Sequence, residues 1–169
     1  MPPEAAPGHS RDYLAEVLDL ARSDQPFAVL AHLDYPRRYW PHDRLRLEEK
    51  SFEEEYRAVL REAARRGTVL EVNTTRGAEA IRGLCPSPTV IRWWREERGE
   101  RVPFGSGAHE PSAIARGFGA AAAAAAAARF RLAADPAAFR RRCRSPPAPP
   151  PPPPRPLPSR SGSRTPRPP

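Results

Sequence analysis

Cysteine is scarce in this 169-residue chain, and the two that occur, Cys85 and Cys143, lie in different regions. That excludes a disulfide framework and any metal site built on cysteine spacing. Long apolar runs are also missing. None approaches the roughly 18 residues that a membrane-spanning helix needs. The nine alanines Ala120–Ala128 are too few and too weakly apolar to span. The opening MPPEAAPGHSRDYL lacks the charged-then-apolar layout of a secretory signal. A soluble, cytoplasmic protein with no membrane partner is the expectation.

A basic body is absent as well, despite a formal net charge of +8. Eight of the 28 basic residues are arginines from Arg140 onward, where no acid occurs. The remaining 20 face all 20 acids of the chain, so residues 1–139 are neutral. Specific nucleic-acid binding needs a clustered basic surface, and the body gives it no support.

What is present is an alternation of helical and strand-like patterns. Ser10 is expected to cap a helix with Tyr13, Leu14, Val17, Leu18 and Ala21 on one stripe. FAVLAHLDY reads as a buried strand from Phe27 to Leu33. YPRRYWPHDRLRL (35–47), broken by Pro36 and Pro41, reads as a loop rich in arginine, aromatics and histidine. Ser51 and Glu54 make a capping-box pattern before a second amphipathic helix that stops at Gly67. TVLEVNT (68–74) is a second strand. Ser87-Pro88 opens a helix carrying Trp93 and Trp94, both read as packing residues. RVPFGS is a third strand, and Pro111 starts a last helix running into the alanines. Alternation of this kind implies βαβ units and a parallel sheet. Two architectures satisfy it: part of an α/β barrel whose first strands are missing, or a small three-stranded α/β domain. From Ser145 the chain collapses to proline, arginine and serine, which favours extended polyproline rather than a fold. This tail is a proline-rich ligand for a partner, a solvated appendage, or the product of a shifted reading frame. The expected division is a leader (1–10), a partial domain (11–142) and a disordered tail (143–169).

Parallel α/β proteins keep their active sites at strand ends. Three polar groups fall there: His32 with Asp34, Glu71 with Asn73, and Ser106-Gly107-Ala108-His109. Alternation puts Glu71 and Asn73 on one face. Two histidines at neighbouring strand mouths suit Zn²⁺, Mn²⁺ or Fe²⁺, although two ligands alone are not a site. Arg37 and Arg38 have the chemistry of a phosphate clamp. Tyr39 and Trp40 could wall a substrate, and His42 shares their loop. Each of these residues also has a plain reading, as a hydrogen-bonded strand-end histidine or a solvated loop charge.

AHLDYPRRYWP (31–41), FEEEYRAVLREAARRGTVLEVNT (52–74), LCPSPTVIRWWREERG (84–99) and FGSGAHEPSAIARGF (104–118) together resemble the C-terminal half of the PHP-domain histidinol-phosphatases. The resemblance runs from about residue 11 to 140. It implies an α/β fold, the C-terminal part of a distorted (β/α)7 barrel, with a divalent metal cluster (Zn, Mn or Fe) at its mouth. It implies hydrolysis of L-histidinol phosphate to L-histidinol and phosphate, in histidine biosynthesis. Metals in such a cluster acidify a water and polarise the phosphate. His32 and His109 fall at metal-binding positions, and Arg37 and Arg38 where basic residues hold phosphate. Asp34, Glu71, Asn73 and Ser106 are placed to line the site. Two departures stand out. Gly107 occupies an aspartate-ligand position, and the family's N-terminal His-x-His motif is absent, so the cluster is expected to be incomplete. The implied partners are a small phosphorylated substrate and either a complementing N-terminal half or a second copy. The competing readings are a non-catalytic remnant and an interaction protein acting through its basic, proline-rich tail.

Overall fold

In the computed structural model, residues 6–38, 48–75 and 83–131 are described, and all lie in one compact unit, Met1–Ala134. The expected tail, Cys143, Tyr39, Trp40 and His42 fall outside the described residues. The elements are α1 (Ala6–Arg22), β1 (Val29–Leu30), α2 (Tyr35–Arg38), α3 (Glu53–Arg65), β2 (Val69–Leu70), β3 (Val72–Asn73), α4 (Pro88–Glu96), β4 (Phe104–Gly105) and α5 (Phe118–Ala127). This is a mixed α/β fold with parallel strand pairs, β1 with β2 and β3 with β4.

β2 and β3 are one extended segment with neighbours on both sides. The Val69 and Glu71 amides donate to Ala28 and Leu30, while the Val72 and Thr74 amides donate to Pro103 and Gly105. Side-chain alternation then gives the three segments two unlike faces. Leu30 and Leu70 pack with Leu14, Tyr56, Val59, Leu60, Val90, Trp93 and Trp94 from α1, α3 and α4. Val72 packs with Leu84, Ile91, Ala121 and Ala128. The opposite face carries Val29, Glu71, Asn73 and Gly105, and Val29 is exposed.

Several local expectations need correction. The strand at 27–33 is ladder-paired only at Val29–Leu30, because the backbone bends at His32, whose φ is +57°. Ser10 lies inside α1, which begins at Ala6 within the expected leader, so it is no cap. Ser51 is no cap either. It sits inside a 3-10 turn, Glu49–Phe52, and Phe52 takes the cap position with no side-chain hydrogen bond. The expected 35–47 loop opens with the short helix α2. Pro111 starts only a 3-10 turn, Pro111–Ala113, and α5 begins seven residues after Pro111, at Phe118, behind Gly117 at φ +76°. Gly67, at φ +71°, does end α3's segment, and Ser87 Oγ does accept from the Val90 amide with Pro88 in the first turn.

Beyond Leu30, the position beside Asn73 is taken by Cys85, through Asn73 N to Cys85 O (2.7 Å) and Cys85 N to Asn73 O (3.0 Å). A fully buried carboxylate holds this insertion. Asp34 accepts from the Cys85 thiol and from the Ser87 amide (3.1 Å), with Arg37 Nη1 3.7 Å away. Arg37 also donates to Leu84 O and faces Glu49. Burial pushes the Asp34 carboxyl up from 3.8 to about 6, aided by Glu49 and opposed by Cys85, Arg37 and the Ser87 amide.

Two predictions follow from this packing. The folded chain holds a proton on Asp34 that the unfolded chain has lost between about pH 4 and pH 6, so the native state binds more protons there. Asp34's contribution to stability therefore falls as pH rises from about 4 to about 6, by about 2 kcal/mol. Denaturant melts at the two ends of the window should show Asp34→Asn gaining that much relative to wild type. The second concerns Gly99, where a Cβ would lie 2.0 Å from the Trp94 ring. Trp94 is fully buried and its Nε1 donates to Arg101 O, so the ring has nowhere to move. Gly99→Ala is expected to cost about 1–3 kcal/mol, read as a lower thermal midpoint.

Candidate functional site

His32, Asn73, Ser106 and His109 lie at or just beyond the ends of the three parallel segments. After β1 the chain turns at His32. Its carbonyl accepts from the Tyr13 hydroxyl (2.7 Å) and the Tyr35 amide (3.0 Å), and the Tyr35 ring meets its imidazole edge-on at 5.6 Å. These contacts hold a non-glycine residue in the left-handed region, a conformation that costs energy. Burial, with the nearby Cys85, Asp34, Tyr35 and Glu16, raises the Tyr13 hydroxyl to about 12, so it serves as a donor. His32 Nδ1 is buried and has no hydrogen-bond partner among the described residues.

The central segment ends in a small network. Asn73 Oδ1 accepts from the Thr75 amide (3.1 Å). The Thr75 hydroxyl lies 2.7 Å from that oxygen and 3.0 Å from the Ser106 carbonyl, with one proton to share between them. Thr74 Oγ1 donates to Arg116 O at 2.6 Å, tying in the loop before α5. Thr74 and Thr75 were not singled out in the sequence; a hydroxyl that works on backbone carbonyls across 31 or 42 residues leaves no local pattern.

The segment after β4 carries Ser106, Gly107 and His109. Gly107 has φ +53°, and a Cβ there would lie 2.3 Å from Thr75 Oγ1. The bare glycine thus has a structural reason in this chain: the Thr75 hydroxyl occupies the space a side chain would need. His109 is exposed and Ser106 half-buried. Asp34 is fully buried, with its oxygens engaged by Cys85, Ser87 and Arg37, so it lies beneath the mouth rather than lining it. Arg37 is engaged by Asp34, Glu49 and Leu84. Arg38 closes α2, and its side chain lies outside the described residues.

Among the described residues, no three His, Cys, Asp or Glu side chains converge as a metal site would require. A catalytic zinc takes three protein ligands and an open position. The residues of this chain that are described therefore do not fit the metal cluster by themselves.

The parallel strand pairs and the helices packed against them define a mixed α/β fold. A solved structure makes that specific. The chain superimposes with a TM-score of 0.58 on a histidinol phosphate phosphatase from Lactococcus lactis subsp. lactis, solved in complex with zinc, L-histidinol and phosphate. The match covers 72% of this chain and 46% of that one, at 20% identity. The chain has a histidinol-phosphatase-like fold and spans under half the length of that relative. No family model matches it, and no curated protein does.

The Gly107–Thr75 contact yields a test. Gly107→Asp alone is expected to destabilise the chain by about 1–3 kcal/mol, since the new Cβ displaces Thr75 Oγ1. Combined with Thr75→Ala, the loss should be smaller than the sum of the two single effects by about 1 kcal/mol, measured as a double-mutant cycle in denaturant. Strict additivity would remove the contact from the account.

Proposed function

We propose that this chain is the C-terminal portion of a phosphomonoesterase that hydrolyses L-histidinol phosphate to L-histidinol and phosphate, built on part of a distorted (β/α)7 barrel. The observation that carries this reading is the fold likeness to a histidinol phosphate phosphatase, together with polar residues at three successive parallel strand ends. Strands that neighbour in chain order, with helices on one face, are what a segment of such a barrel supplies.

In this reading His32 and His109 contribute imidazoles, Arg38 contributes a guanidinium group for phosphate, Glu71, Asn73 and Ser106 line the mouth, and Arg37, held by Asp34, Glu49 and Leu84, supports the turn beneath it. When bound, a divalent metal would supply an acidified water and charge neutralisation. The described residues hold too few ligands for it, so turnover needs ligands from a complementing segment or a second copy of the chain. A second reading, a non-catalytic relative, is favoured by one specific observation: Thr75 Oγ1 fills the space of an aspartate side chain at Gly107.

The test is phosphate release from L-histidinol phosphate by the purified full chain with added Mn²⁺ or Zn²⁺. The phosphatase reading expects release that falls to background in His109→Ala. A folded, soluble chain with no release, alone or at concentrations that drive self-association, supports the non-catalytic reading.

A further inference from the structure

The segment that carries His109 is tied to the rest of the chain at few points. Gly107 and Gly117 bracket it, both with positive φ, +53° and +76°. No residue from Ala108 to Arg116 is buried, and Ile114 is 68% exposed. Its backbone bonds are internal: the Ala113, Ile114 and Arg116 amides donate to the carbonyls of Glu110, Pro111 and Ala113. Among the described residues, one side chain from outside hydrogen-bonds to it. The Thr74 hydroxyl donates to the Arg116 carbonyl at 2.6 Å, just inside Gly117. Thr75 meets the Ser106 carbonyl, which lies outside the bracket, so that bond anchors the flank.

These features describe two states close in free energy. Ala115 is held at φ +61°, a left-handed conformation that is costly for alanine. The Thr74 bond offsets that cost. Release would uncover little apolar surface, since Ile114 is already in water. Nor would it orphan Thr74, whose side chain is fully buried: its hydroxyl has a second acceptor, the Gly105 carbonyl at 3.3 Å. The Arg116 carbonyl would pass to water, because Arg116 is exposed. Segments with few buried contacts and exposed backbone bonds are the ones that open locally. The two glycines can absorb the change in φ that opening requires.

We infer that residues 108–116 form a strap hinged at Gly107 and Gly117, with the Thr74 hydroxyl as its latch. His109 travels with the strap, so the latch decides whether that imidazole stands at the strand ends. Thr74 is thus a positioning residue for His109, acting through the Arg116 carbonyl. The inference rests on this geometry alone and holds whether or not the chain is a phosphatase.

The experiment is native-state hydrogen exchange of the full chain, read at the Ala113, Ile114 and Arg116 amides, in wild type, Thr74→Val and Thr74→Ser. Amides of α3 report global stability in the same samples. In wild type the three strap amides should share one opening equilibrium, more open than that of α3. Valine keeps the shape and loses the hydroxyl. It should speed exchange in the strap by about three- to tenfold and leave α3 unchanged. Serine keeps the oxygen and should return the strap most of the way to the wild-type rate. The His109 ring proton shifts should move in Thr74→Val and return in Thr74→Ser. Equal acceleration of strap and α3 overturns the inference, as does an unchanged strap in Thr74→Val, a serine variant as fast as the valine one, or unmoved His109 signals. Wild-type strap amides that open independently, or that exchange without protection, overturn it too, and that comparison decides the matter if Thr74→Val fails to fold.

Discussion

A buried carboxylate organises this structure. β1 pairs with the central segment only as far as Leu30, and past that point the chain turns away at His32. The vacated edge beside Asn73 is filled by Cys85. Asp34 makes the substitution hold, because it accepts from the Cys85 thiol and from the amide of Ser87, the residue that caps α4. Putting a carboxylate inside the protein is unfavourable unless hydrogen bonds and opposite charge offset the lost water. Here the thiol, the amide and Arg37 share that role, and Arg37 is itself held by Glu49 and the Leu84 carbonyl. One group thereby fixes the turn that carries His32, the start of α4 and the end of the central strand.

The two faces of the sheet follow from that arrangement. With both edges of the central segment engaged, alternation turns Leu70 and Val72 toward the helices, and Glu71 and Asn73 the other way. The helices add their own clasp: Arg57 of α3 bonds Glu53, Glu96 and Glu97 and lies over the Trp93 ring. Such partly exposed pairs contribute little individually. The fully buried apolar contacts of Trp94, Leu60, Val59 and Ile91 contribute most of the helix-to-sheet cohesion. The other face carries Glu71 and Asn73, and the missing Cβ atoms of Gly105 and Gly107 make room for Glu71 and Thr75.

Much of this was readable in the residues. The helix–strand alternation was visible because apolar periodicity is a local property, and Ser87-Pro88 and Gly67 mark real boundaries for local reasons. Ser51 and Ser10 misled for the complementary reason. Each has the side chain of a cap, but a preceding 3-10 turn or an earlier helix start decides where the first free amide falls. The contact between the ends of the second and third strands, through Thr75, joins Asn73 and Ser106, which the sequence had set at strand ends, while the roles of Asp34 and Arg37 were not legible. Asp34 meets Cys85 across 51 residues and Arg37 meets Leu84 across 47, contacts that only the fold creates. Gly107 shows the limit most clearly. In the sequence it reads as a lost carboxylate; in the structure it is also a positive-φ position whose side-chain space Thr75 occupies.

The open edges of the sheet and the unfinished site have a common origin. Among the described residues nothing pairs with the outer edge of β1 or of β4. Parallel sheets are stable when both faces are covered, and on the face bearing Glu71 the described residues bury Val69 and Asn73 but leave Val29 at the edge exposed. Strands added at those edges would pair the exposed edge groups of β1 and β4. The same strands would bring side chains to the mouth where His32 Nδ1 stands unpartnered. In the reading proposed above, pairing at those edges and the supply of further ligands would be one event, because both need added strands.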